Sequence, residues 1–388
     1  MKIFFAAAII LSFMTSSIAQ MDPSKKLAEE FVRRSKEAGV VGGSLLVLKG
    51  GRLSAESHFG LANIGKDQQI DSDTIYHWAS NTKPFTGIAI MQLRDRGLLR
   101  LDDPATKYLP ELRKIYNPFG SMDEITIRHL LTHSGGFRGG TWPWRNNKSW
   151  EPFEPTEWSQ LVAMFPFTEV LFEPGTKFSY SNPGIIYLGR IIEEVSGEPY
   201  EAYIDKNILR PLGMHRSYFD TTPTHLMRHR SHSYYIRDGI RTEGRFDADT
   251  GITVSNSGLN APVSDMVKYL NFLTGVAEPA SPEGVRNYDL ILRRSSLEEM
   301  FQPRLSAATD ANGNVGFTTD IGLIFFIDDR NGRKLIGHGG DQNGFISYIE
   351  FQPIAKTATL FVLNTNVGGK PGSDLILGLR HSLRIVFD

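Results

Sequence analysis

Ser80 stands three residues before Lys83, at the opening of an apolar run formed by Phe85, Ile88, Ala89, Met91 and Leu93. Residues i and i+3 share a helix face, so on a helix the hydroxyl and the amine lie side by side. Pro84 suits a first helical turn, where a missing N–H costs least, and Gly97 predicts the helix end. A serine at a helix N-terminus sits beside N–H groups and the positive end of the dipole, both of which favour developing negative charge. A lysine in an apolar wall loses its proton more easily than in water, because desolvation disfavours the ammonium. The pair reads as an activated nucleophile. Alone, it reads equally as an N-cap serine and a solvated lysine, since Ser-x-x-Lys recurs by chance in such a chain.

Two further clusters carry chemistry. In Tyr180-Ser181-Asn182, after the turn Pro174-Gly175, two side chains two apart on an extended or turn segment can face the same way. The phenol can move a proton once nearby cations lower its pKa, and the amide supplies a fixed donor and acceptor. The alternative is a surface turn before the next helix. In Gly337-His338-Gly339-Gly340-Asp341, the glycines admit close approach by a ligand backbone at a sheet edge, and His338 could contact a substrate carboxylate or carbonyl. Here the alternative is a glycine-rich hairpin corner. A phosphate loop is excluded, because no Lys-Ser/Thr follows the glycines.

Ser80-x-x-Lys83, Tyr180-Ser181-Asn182 and His338-Gly339-Gly340, in that order, resemble the three motifs of the serine β-lactamase and penicillin-binding protein superfamily. A tyrosine in the second motif is similar to class C β-lactamases, DD-carboxypeptidases, D-aminopeptidases and related esterases. The likeness extends over nearly the whole chain after the N-terminal segment. It implies a β-lactamase-like fold and a hydrolase without metal or organic cofactor. It implies Ser80 as the acylated nucleophile and Lys83 and Tyr180 as partners in general-base work, with Tyr180 then protonating the leaving group and assisting deacylation. Asn182 would hold Lys83 and the substrate amide, and the N–H groups of Ser80 and Asp341 would form the oxyanion hole. His338 and Gly339 depart from the usual lysine and hydroxyl residue of the third motif. A neutral histidine holds a carboxylate less firmly than a permanent cation, which favours D-amino-acid peptides or carboxylic esters over β-lactams. Asp341 is unfavourable beside an oxyanion hole unless its side chain turns away.

Rival readings are a binding or sensor protein on the same scaffold that no longer turns over, and a zinc-dependent hydrolase. His129 and His133, and His225 and His229 with His232 nearby, have spacings that zinc sites use, but no His-Glu-x-x-His occurs. They read as helix and loop histidines. No Gly-x-Ser-x-Gly elbow occurs either. The aromatic stretch Phe137–Trp158, with Trp142, Trp144, Trp150, Phe153 and Trp158, reads as core ahead of a substrate entrance.

The 388 residues carry a net charge of -1, which gives no footing for nucleic acid or an anionic membrane. Partners are therefore expected to be small-molecule or peptide substrates, and oligomeric state is left open. Apolar residues at 40% and charged residues at 22% describe a chain that can bury a large core. With no cysteine, disulfides, thiol nucleophiles and lipoprotein anchoring are excluded. Lys2, the apolar run Ile3–Met14 and the small residues Ser17-Ile18-Ala19 read as a signal peptide over 1–19. Its cleavage leaves no stable membrane span and predicts a periplasmic or secreted protein.

The elements that must position these motifs are legible from periodicity. Helices are expected over about Ser24–Ala38, after Ser80, and over Ile125–Leu131, Gly184–Val195, Tyr200–Leu209 and Val263–Phe272, the last capped by Ser264. Strands are expected at Gly43–Leu48 and Leu53–Phe59, and again at Ile321–Ile327, Lys334–Gly337, Phe345–Phe351 and Thr357–Leu363. Asn331-Gly332 and Pro353 mark turns. Leu375, Ile376, Leu379, Leu383 and Val386 give a closing amphipathic helix. The fold class is α+β, with one antiparallel sheet built from both chain ends and flanked by helices. Residues 20–75 and 315–388 would form the sheet domain. Residues 76–314 would form a mostly helical inserted domain carrying the nucleophile.

Overall fold

The computed structural model describes residues 23–143, 152–276, 288–314, 318–330 and 332–387. The signal segment 1–19, Trp144, Trp150 and Asn331 lie outside the described residues. At the centre is a nine-stranded antiparallel sheet. From one edge its order is Gln68–Gln69, β2 (Arg52–Asn63), β1 (Gly42–Lys49), β6 (Thr357–Leu363), β5 (Phe345–Gln352), β4 (Arg333–Gln342), β3 (Phe326–Arg330), Asp320–Ile321 and Leu305–Ser306. Both ends of the chain thus meet at the β1–β6 pairing, where Ser44 lies opposite Val362.

Strand alternation explains why both faces are covered. On β1, Leu45 and Val47 enter one cluster and Leu46 and Leu48 the other, as a period of two requires. The first cluster is closed by α1 (Pro23–Glu37) through Phe31 and by α4 (Gly369–Arg384) through Leu375, Leu379 and Leu383. The second, larger core takes in α2 (Lys83–Asp95) and α3 (Asn182–Ser196) and runs on to Leu360 and Val362. That core is continuous across the sheet and the helical middle.

The structure corrects several boundaries. Ile321–Ile327 is two short strands, because Ile324 takes φ 72° and turns the chain between them. The strand expected at Lys334–Gly337 runs on to Gln342, so the His-Gly-Gly-Asp motif lies within a strand. The Val263–Thr274 helix begins after Pro262 without a side-chain cap, so Ser264 caps nothing. The helical middle also contains strands, among them Tyr234–Arg237, paired in parallel with Thr365–Val367. The described residues contain no helix long and apolar enough to cross a membrane.

Candidate active site

Ser80 lies on a short 3₁₀ turn, Ala79–Thr82, that runs straight into α2. Ala79 has a left-handed φ of 49°, uncommon for a residue with a Cβ and a recurrent feature of functional turns. The turn is stapled to the sheet: Asn81 Nδ2 donates to Ser347 Oγ at 2.8 Å, and that hydroxyl donates to the Trp78 carbonyl at 3.1 Å. Residues 83–93 of α2 are all buried. Such a helix forms because Pro84 sits in its first turn and its apolar residues cover every side.

Lys83 Nζ is 2.8 Å from Ser80 Oγ and 3.0 Å from the Asn256 carbonyl. Its side chain is wholly buried, and this desolvation holds its pKa well below the usual lysine value. A buried amine with a lowered pKa, within hydrogen-bonding reach of a hydroxyl, has the placement a general base requires. The partner differs from the expected one. Asn182 does not hold Lys83; its backbone N–H donates to the Gly139 carbonyl at 3.0 Å, and its side-chain oxygen is buried without a partner among the described residues. Asn182 lines the groove in front of Ser80.

Tyr180 borders the same groove, with Lys83 Nζ 4.9 Å from its ring centre. Burial raises the phenol's pKa, only partly offset by the Ser80 hydroxyl. The expectation that cations lower it is not met in the resting site, where desolvation outweighs every other influence on the phenol. Aromatic neighbours fix the ring. His133 lies 4.6 Å away and Phe326 stacks at 6.2 Å. Ser181 caps α3, its Oγ accepting from the Gly184 N–H at 3.2 Å.

The third motif forms the opposite wall. β3 pairs with β4 only as far as Phe326 opposite Gly337, so His338–Gln342 has a strand neighbour on one side alone, β5, among the described residues. The Ser80 turn packs directly against β4. Gly340 permits this: a Cβ there would stand 2.3 Å from the Trp78 carbonyl oxygen and 2.6 Å from Ser347 Oγ. The glycine therefore admits the protein's own turn, not only a ligand. At Gly339 the nearest atom would be the edge of the Tyr348 ring, at 3.2 Å. Asp341 turns aside, its Oδ1 accepting from Asn366 Nδ2 at 2.6 Å, and Arg237 braces that asparagine at 2.9 Å. Desolvation raises the Asp341 pKa.

His338 is buried, its Nδ1 lies 2.7 Å from the Gly339 carbonyl, and burial followed by the Lys83 charge pushes its pKa down to about 3. Ser80, Tyr180, Asn182, His338, Gly339, Gly340 and Asp341 all border one groove of about 440 Å³, with Lys83 behind Ser80.

Other candidates fall elsewhere. His129 Nδ1 accepts from the Thr126 N–H at 3.3 Å, and His133 Nδ1 from the Ser181 N–H at 3.1 Å. His229 accepts from Arg228 and His232 pairs with Glu243. Among the described residues no three His, Cys, Asp or Glu side chains converge with metal-binding geometry. Trp158 packs against Phe165 and Tyr187 and donates to Glu111 at 2.6 Å; neither it nor Trp142 nor Phe153 borders the groove. Ser44 Oγ, His58 and Glu56 have the connectivity of a hydrolytic triad, but Ser44 is wholly buried and closed off by the Tyr76 hydroxyl at 2.8 Å. Sequence reasoning missed Asn256, which acts through a carbonyl that any residue has. It also missed His133 and Phe326 as the walls that hold Tyr180, and Glu154, whose carboxyl burial raises to about 7 and whose charge acts on Lys83.

A family model described as Beta-lactamase matches residues 26–381. Protein flp of Staphylococcus aureus (strain N315) is 29% identical over 200 residues, 51% of this chain and 39% of that protein. Esterase EstB of Burkholderia gladioli is 31% identical over 201 residues, 49% of this chain and 50% of that protein. The chain thus spans half or less of the length of these curated relatives. The octameric penicillin-binding protein homologue from Pyrococcus abyssi superposes with a TM-score of 0.76 at 30% identity, covering 94% of this chain and 77% of that one. A class C beta-lactamase superposes with a TM-score of 0.74 over 94% of this chain and 98% of its own, at 21% identity, a likeness of fold.

Proposed function

The chain belongs to the beta-lactamase family, and on that premise we propose that it hydrolyses small esters or amides through an acyl-Ser80 intermediate. The observation that carries the reading is the 2.8 Å contact between Ser80 Oγ and the wholly buried Lys83 amine. Lys83 takes the hydroxyl proton as Oγ bonds to the carbonyl carbon, and the oxyanion develops beside the Ser80 and Asp341 N–H groups. The bond to the leaving atom then breaks, its electron pair staying with that atom. Tyr180 supplies the proton the leaving atom needs and is reprotonated from Lys83. Water releases the acid by the same relay in reverse. A general base contributes about 10² to 10⁴ in rate, and one oxyanion donor about 10² to 10³.

Uncharged esters and amides are favoured over β-lactams, which carry a carboxylate. Three features support this preference. Burial holds the His338 pKa down at about 3, Arg380 at the rim is 3.6 Å from Glu350, and Asp341 sets a carboxyl, not a cation, beside the groove. Mass spectrometry after fluorophosphonate treatment should find Ser80 modified. Ser80→Ala should abolish turnover of a p-nitrophenyl ester. A folded protein in which every such probe leaves Ser80 untouched would refute the proposal.

A further inference from the structure

Asp341 carries two groups with opposed effects on the proposed reaction. Its N–H is one of the two oxyanion donors, and its carboxyl has the wrong charge to stand beside a developing oxyanion. Aspartate side chains hydrogen-bond their own or neighbouring backbone N–H groups. A free carboxylate here would therefore both occupy the donor and repel the negative charge that the donor must stabilise.

The structure holds that carboxyl elsewhere. Asp341 Oδ1 accepts from Asn366 Nδ2 at 2.6 Å. Asn366 is fixed in turn by Arg237, which donates through Nη2 to its side-chain oxygen at 2.9 Å and through Nη1 to its backbone carbonyl at 2.8 Å. A guanidinium only donates, so the amide oxygen of Asn366 must face Arg237 and its NH₂ must face Asp341. Asp341 borders both the Ser80 groove and a second cavity of about 230 Å³ lined by Leu375 and Ile376 of α4. Asn366 borders that cavity and not the groove, so the bond draws the carboxyl away from the groove.

The elements that carry this bracket are built for it. Thr365–Val367 pairs in parallel with Tyr234–Arg237, placing Asn366 opposite Tyr235. The Gly368 N–H donates to the Ile236 carbonyl at 2.9 Å and closes the ladder. Gly368 also clears the path of Arg237: a Cβ there would stand 2.7 Å from Arg237 Cδ and 3.1 Å from Nη1. The guanidinium lies over the Tyr235 ring, 5.0 Å from its centre, which steadies it on the side away from Asn366.

We propose that Asn366 and Arg237 are positioning residues of the oxyanion hole, holding the Asp341 carboxylate aside so that the Asp341 N–H stays open to the substrate oxygen. The inference rests on the acyl-Ser80 reading and adds to it two residues that do not border the groove. Losing one oxyanion donor outright costs about 10² to 10³ in rate, and a carboxylate that blocks it part of the time costs a share of that.

Asn366→Leu removes the tether at nearly constant volume. With p-nitrophenyl butyrate, whose leaving group needs no proton, it should lower kcat/KM at least tenfold. In the Asp341→Ala background, where no carboxylate can swing back, the same substitution should cost less than threefold. Packing lost with Asn366 is lost in both backgrounds, so the difference between them reads the carboxylate. Arg237→Met alters an exposed side chain and serves where Asn366→Leu does not fold. It should cost at least fourfold beside Asp341 and less than twofold in the Asp341→Ala background. Equal losses in the two backgrounds, or no loss beside Asp341, overturn the assignment. Ser80 labelled by fluorophosphonate in the unaltered protein, without this coupling, refutes the tether alone. An unlabelled Ser80 with no ester turned over refutes the acyl-enzyme reading and the tether with it.

Discussion

Gly340→Ala isolates the contact that brings the third motif to the Ser80 turn. The added Cβ would lie 2.3 Å from the Trp78 carbonyl oxygen, 2.6 Å from Ser347 Oγ and 3.3 Å from Ala79 Cβ. Real Cβ contacts essentially never fall below 3.0 Å, so β4 and the Ser80 turn must part by at least about 0.7 Å in a close-packed interior. The obstacle is a backbone carbonyl that both Asn81 and Ser347 engage, so it cannot swing aside as a side-chain tip would. A displacement near 1 Å in a reacting geometry costs about 10²-fold in rate, and overpacking costs about 1 to 3 kcal/mol of stability. Gly340→Ala should therefore lose about 10²-fold in kcat/KM for a p-nitrophenyl ester while still melting cooperatively, at a lower temperature. Gly339→Ala is the control. The first atom its new Cβ meets is on the edge of the Tyr348 ring, 3.2 Å away. It should cost less than about fivefold, since a ring edge can yield a few tenths of an ångström. Equal activity in the two variants, or full activity in Gly340→Ala, would refute the reasoning.

Four further outcomes are expected. With the Lys83 pKa held down by burial, kcat/KM should fall only as the pH drops through that lowered pKa. Deprotonated Glu154, above pH of about 7, favours the ammonium, so Glu154→Gln should move the acid limb to lower pH; activity still climbing to pH 10, or a limb moved upward, would contradict this. Tyr180→Phe should slow alkyl-ester acylation by about 10² to 10⁴, but p-nitrophenyl esters less than tenfold, because that leaving group departs without a proton; equal losses would remove Tyr180 as the donor. Ser181→Ala removes the cap of a fifteen-residue helix and should cost about 1 kcal/mol in chemical denaturation, with kcat/KM changed less than threefold. Export with cleavage after Ala19 predicts a mature N-terminus at Gln20, read by N-terminal sequencing of the exported protein.

What the sequence made legible was whatever rests on side-chain type and period. Leu45 to Leu48 alternate between two cores, and that alternation is visible as an apolar run flanked by glycines. The three motifs were visible because a hydroxyl, an amine and a phenol belong to specific residue types. What was hidden depends on backbone atoms or on distance along the chain. The carbonyl that holds Lys83 belongs to Asn256, 173 residues away, and a carbonyl leaves no mark in sequence. Gly340 was read as room for a ligand, whereas its space is filled by the Trp78 carbonyl, a fact of tertiary approach. The split of Ile321–Ile327 follows from a positive φ at Ile324, which a β-branched residue adopts only under tertiary constraint.

The raised pKa of Tyr180 and the proton donation proposed for it are reconciled by sequence of events. Three nitrogen bases lie close to the phenol, and burial lowers the pKa of each. The Lys83 charge further disfavours protonation of His338 and His133, and His338 that of His133. Protonation is disfavoured on each of them, and desolvation disfavours ionisation of the phenol. Attack changes this. In the proposed mechanism, once Lys83 takes the Ser80 proton an ammonium would stand 4.9 Å from the Tyr180 ring centre, and a cation at that range favours the phenolate. The acid thus becomes strong only after the base has acted, when the leaving atom needs its proton. A permanent cation in place of His338 would acidify Tyr180 before attack and hold Lys83 neutral still more firmly. The neutral histidine leaves both changes to the proton that the reaction itself moves.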